Sequence, residues 1–89
     1  MNFEWDDNKR AANLEKHGLD LIDAAALFDG RAVITYPSPR DEEMRFVTVG
    51  IVDEVFVAAV WTERIDAIRL ISLRKARHAE RQAHRSRFG

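Results

Sequence analysis

The sequence contains no cysteine, which rules out a disulfide scaffold, a thiolate metal site and a cysteine nucleophile, and fits a reducing cytoplasm. Proline occurs only as Pro37 and Pro39, in one short loop, so no proline-rich linker divides the chain. Glycines stand singly at positions 18, 30, 50 and 89, leaving no glycine loop to cradle a phosphate. No apolar run approaches the ~20 residues that cross a bilayer. The acidic opening Met1-Asn2-Phe3-Glu4-Trp5-Asp6-Asp7 lacks the basic and then apolar layout of a secretory leader, so neither export nor membrane insertion is expected. His78 and His84 would point roughly 120° apart on a helix, which is not a ligand spacing, and no metal or other cofactor is expected.

What is present is a short, heavily charged chain. Its 89 residues predict one domain, 1–89, and 46% apolar residues predict a packed core rather than disorder. The net charge of −1 conceals a division. Residues 1–63 hold 6 Lys and Arg against 13 Asp and Glu, while residues 64–89 hold 8 against 2. A basic C-terminal third of this kind points to an anionic partner, nucleic acid or an acidic protein. Arginine makes up 11 of the 14 cations, and its planar fork suits phosphate.

The pattern of apolar residues predicts an α+β fold. A short strand at Phe3-Glu4-Trp5 leads to a helix over roughly Asn8–His17, capped by Asp6 or Asp7 and ended by Gly18. On it Lys9, Asn13, Lys16 and His17 form one stripe, expected to be a wet basic face, with Ala11 and Leu14 opposite. Asp20 caps a second helix whose Leu21, Ala24, Ala25 and Phe28 recur at core-facing spacing. Four strands follow, at Arg31–Tyr36, Met44–Val52, Val55–Thr62 and Ala67–Leu73. Short hairpin turns make the last three antiparallel in sequence order, and Val55–Trp61, apolar at both parities, is expected to be central. From Lys75 onward a C-terminal helix is expected, anchored only by Ala76, Ala79, Ala83 and Phe88.

Four groups of residues carry possible chemistry, most with a plainer reading beside it. The Lys9–His17 stripe can offer cations and an imidazole to a phosphodiester, or can simply be solvated. Arg45 shares strand parity with Val47 and Val49, and either serves a site or pairs with Glu42, Glu43 or Glu63. Arg69 and Arg74 have opposite parity, so a regular strand cannot display both on one face. The run from Arg74 to Arg87 reads equally as a nucleic-acid footprint, a solvated helix face or a patch for an acidic protein.

These residues together resemble the BrnT toxins of bacterial type II toxin–antitoxin systems, relatives of the RelE-like ribonucleases. The resemblance rests on Phe3-Glu4-Trp5-Asp6, Lys9, Asn13, Lys16-His17-Gly18, Ala24-Ala25, Phe28-Asp29, Arg45 and Gly50. Thr62, Arg64, Arg69, Ile71-Ser72, Arg74, Ala76 and Glu80-Arg81 complete it. It implies a RelE-like α+β fold: a small antiparallel four-stranded sheet plus a short N-terminal strand, two N-terminal helices and one C-terminal helix. It further implies metal-independent endonucleolytic cleavage of RNA that inhibits translation. The partners implied are a cognate antitoxin with a ribbon-helix-helix DNA-binding part, an RNA substrate, and operator DNA reached only through the antitoxin. Lys16, His17, Arg45, Arg64 and Arg74 match polar motif positions and are the expected catalytic set, with Lys9, Arg69, Glu80, Arg81 and His84 in support. The chain departs from the pattern at Leu73, which replaces the alanine of Ile-Ser-Ala-Arg, and at His84, where many relatives carry tyrosine. These cations, drawn from the first helix and the last strands, are expected to meet in one hollow. The alternative is a binding module without enzymatic activity that co-represses with its partner.

Overall fold

The computed structural model describes residues 1–89. The elements are β1 (Phe3–Glu4), α1 (Asp7–His17), a 3₁₀ helix (Leu21–Phe28), β2 (Ile34–Pro37), β3 (Arg45–Val52), β4 (Val55–Arg64), β5 (Ala67–Lys75) and α2 (His78–Phe88). The strands form one sheet in the order β1-β5-β4-β3-β2. β2 to β5 make an antiparallel meander with β4 at its centre, and β1 adds to β5 in parallel through Phe3↔Ile68 and Glu4↔Arg69. No helix is long and apolar enough to cross a membrane.

The 3₁₀ helix and α1 cover one face of the sheet, where Leu21, Ala24 and Leu27 meet Val57, Ala59, Leu70 and Leu73 in the main core. Gly50 lies beneath this layer, where a Cβ would come within 2.7 Å of Leu27 Cδ2 and 2.9 Å of Val33 Cγ1; glycine is what lets the layers close. The opposite face holds a smaller cluster of Val47, Val49, Ala58 and Ala76. α2 covers one end of this second face, through Tyr36, Phe56 and the Ala32 carbonyl. Arg45 and Arg69 stand at the other end and make no hydrogen bond or ion pair with α2.

Four expectations need correcting. In α1 the Lys9–Asn13–Lys16–His17 stripe is wet only in part: Lys9 and Lys16 are exposed and His17 half-buried, but Asn13 is 6% exposed whereas Leu14, on the side expected to face inward, is 52% exposed. Asn13 is drawn inward because its amide completes the sheet: Nδ2 donates to the Leu19 and Leu73 carbonyls, and Oδ1 accepts the Leu73 N–H. The second helix is 3₁₀, so its buried positions recur every third residue, and Leu27 rather than Ala25 joins Leu21 and Ala24. In β5 the register runs Trp61↔Leu70 and then Val60↔Ser72, which leaves Ile71 unpaired in a bulge. The extra residue restores parity: Arg69 opposite Thr62 and Arg74 opposite Ala58 both lie on the α2 face, the arrangement that regular alternation forbids. Finally, α2 is anchored by buried Glu80 and His84, four residues apart on one side, and not by Ala79 and Ala83, which are exposed.

Candidate functional site

β2, β3, β4 and β5 place their α2-face residues around a hollow of about 340 Å³. Tyr36, Arg45, Val47, Val60 and Arg74 form its floor and walls, and the loop residues Ser38, Pro39 and Arg40 close it with Arg77. Four guanidinium groups therefore line one concavity. Two of them are held by carboxylates. Arg45 Nε donates to Glu43 Oε1 at 2.7 Å, and Arg74 grips both oxygens of Glu80 at 2.7 and 2.9 Å. Neither Arg40 nor Arg77 has a carboxylate partner.

Glu80 is the best-satisfied acid of the molecule. Besides Arg74 it accepts the Arg77 N–H at 2.7 Å and the hydroxyl of Tyr36. Burial alone would raise its pKa, but the bonds from Arg74, Arg77 and Tyr36 together hold it down at about 2. The Tyr36 hydroxyl moves the opposite way, raised first by burial and then by the neighbouring carboxylate. Around pH 7 this corner is a fixed anion between fixed donors, so neither group is available as a base.

A second hollow of about 190 Å³ opens between α1 and β5, lined by Lys9, Ala12, Asn13, Lys16, His17, Ile71 and Ser72. The bulge and the buried Asn13 bring α1 close to this stretch of β5. Ser72 lines the second hollow and pairs in backbone register with Val60, which lines the first.

The expected residues thus do not converge in one hollow. Arg45 and Arg74 share the first, whereas Lys9, Lys16 and His17 share the second. Arg64 lines neither; its Nη2 lies 3.6 Å from Glu43, the same carboxylate that holds Arg45. Arg69 pairs with Glu4 at 3.0 Å, and Arg81 donates to the Ala76 carbonyl at the start of α2. His84 is buried between the rings of Phe56 and Phe88, with Nε2 3.0 Å from the Ala32 carbonyl, and lines no hollow. In the sequence Arg77 is one cation among many in the Arg74–Arg87 run, and Arg40 sits in a proline loop with nothing to single it out. Only Tyr36, alternating with Ile34 along a strand, carried a signal.

Comparison with known families decides which lineage this arrangement comes from. Residues 5–80 match the family model described as ribonuclease toxin, BrnT, of type II toxin–antitoxin system. The chain belongs to the BrnT family. No curated protein matches it. As a BrnT toxin it has RNA as its substrate and a cognate antitoxin as its partner. The matched span contains every residue that lines the two hollows, and it stops at Glu80, the carboxylate that fixes Arg74. Arg81 and His84 lie beyond it.

Proposed function

We propose that the chain is a metal-independent endoribonuclease that arrests translation by cutting RNA, and that its scissile phosphate sits in the four-arginine hollow. The observation carrying this reading is the enclosure of Arg45 and Arg74 with Arg40 and Arg77 around one concavity. RNA supplies its own nucleophile, the 2′-OH, so the protein must hold the phosphate, stabilise the dianionic phosphorane and move two protons. Arg45 and Arg74, pinned by Glu43 and Glu80, are preorganised for the equatorial oxygens and need no rearrangement during reaction. Arg64 stands outside the hollow and acts on it only through Glu43, the carboxylate that also holds Arg45.

Lys16 and His17 approach from the second hollow, across Ser72, as the RNA backbone follows the edge of β5. His17 takes the proton-transfer role in this scheme, because His84 is committed to packing and Glu80 and Tyr36 are locked together. The antitoxin is expected to carry a ribbon-helix-helix part, to cover this cationic face and to link the pair to operator DNA. Sequencing the neighbouring reading frames tests this: a short gene encoding such a protein is the expected result.

The experiment is incubation of purified protein with RNA in EDTA. Cleavage leaving 2′,3′-cyclic phosphate ends is expected, and cutting beside a 2′-deoxy nucleotide would refute the mechanism. One observation favours the second reading, a non-enzymatic nucleic-acid or acidic-protein module acting as co-repressor: the arginine hollow contains no proton acceptor of its own. RNA bound but left intact, with EDTA or Mg²⁺, is the result that selects it.

A further inference from the structure

The arginine hollow does not end at Arg77. A further hollow of about 270 Å³ lies between the free edge of β2 and α2, and Tyr36 and Arg77 line both. Beyond these shared residues the character changes. Ile34, Ala79 and Ala83 form an apolar wall, with only the locked Glu80 carboxylate behind it. The two hollows therefore make one trough, cationic at one end and apolar at the other. Ala79 and Ala83 lie four apart on the exposed side of α2, where larger side chains would fill this space. The Tyr36 hydroxyl is engaged by Glu80, which fixes the ring as the partition between the two ends.

We infer that this trough is a nucleotide subsite: the cationic end takes a phosphate of single-stranded RNA and the apolar end takes the base attached to it. Phosphate and base are the two halves of a nucleotide, one anionic and one a flat apolar ring system, and the trough offers a matching surface to each. Arg77 serves both, with its charge toward the phosphate and its planar guanidinium available to stack on the base. Arg40 and Arg77 are the cations that meet the phosphate first, because no carboxylate neutralises the charge of either one. This inference rests on the reading that the chain binds RNA, and it adds where a base is gripped beside the phosphate.

The test uses two fluorescein-labelled pentamers that cannot be cut and carry equal charge. One is 2′-O-methyl RNA and the other is an abasic phosphodiester of the same length. Wild-type protein is expected to bind the base-bearing probe about tenfold more tightly, the order of one stacked base. Ala83→Leu, which fills the apolar end from an exposed position, brings that probe down to the abasic level and leaves abasic binding unchanged. Ala79→Leu, from the same wall, does the same, and thermal melts of both variants match wild type. Equal wild-type affinity for the two probes overturns the inference, as does an equal loss of both in the variants. Native RNA left uncut while wild type still discriminates the probes removes the nuclease reading and leaves the subsite standing.

Discussion

Glu80 and Asn13 each tie distant parts of the chain together with one side chain. Removing the charge of Glu80 leaves Arg74 partly buried without its counter-ion, and Glu80→Gln is expected to cost about 3 kcal/mol in chemical denaturation. The pH dependence has a definite sign. The folded-state pKa of about 2 is below the ordinary 4.5, so the stabilisation is complete above the ordinary value and is lost as pH falls toward about 2. The gap between wild type and Glu80→Gln should therefore close over that interval; a gap independent of pH would contradict the assignment. Asn13→Ala leaves the Leu73 N–H and carbonyl without their partner. A loss of about 2 kcal/mol is expected, with faster hydrogen exchange at the Leu73 amide as its local signature. The sequence gives no hint of this role, because asparagine in a polar stripe looks like surface until the backbone it completes is known.

Elements were legible wherever the local pattern was regular. The Asp6 and Asp20 caps, the Gly18 stop, the hairpins and the central position of β4 all follow from composition and turn residues. What failed were the departures from period. An unpaired Ile71 shifts β5 by one residue, and a helix wound at three residues per turn exchanges Ala25 for Leu27 at the core. The anchoring of α2 follows from another cause: a glutamate and a histidine bury themselves only when partners await them, and Tyr36 and Ala32 lie 44 and 52 residues away from Glu80 and His84. The β3–β4 hairpin carries its own test. Asp53 and Glu54 both adopt the left-handed region, with φ of 49° and 68°, in a two-residue turn that favours Asn-Gly. Glu54→Gly is expected to stabilise the fold by about 1 kcal/mol, read as a higher midpoint in urea. An unchanged or lower midpoint would show that the turn carries no such strain.

For the molecule as a whole, folding brings the two charge-segregated halves against each other. Glu4 and Glu43 of the acidic half hold Arg69 and Arg64 of the basic half. The cations left without carboxylates include Lys16 on α1, Arg40 in the loop and Arg77 at the head of α2. A single strand of RNA touching these groups should bind with a steep salt dependence, each phosphate contact contributing a slope of about 0.7 in log affinity against log salt. The sequence located this charge by region, but could not say that the fold divides it between two hollows with no lining residue in common. The most direct measurement is the single-turnover rate of RNA cleavage in EDTA for wild type and Arg45→Ala, with folding of both verified by thermal melts. Arg45 is held by one half-buried pair to Glu43 and belongs to neither apolar cluster, so its loss spares the core. The account predicts a fall of at least about a hundredfold, the order expected for one preorganised transition-state donor. Cleavage by Arg45→Ala at the wild-type rate would contradict it.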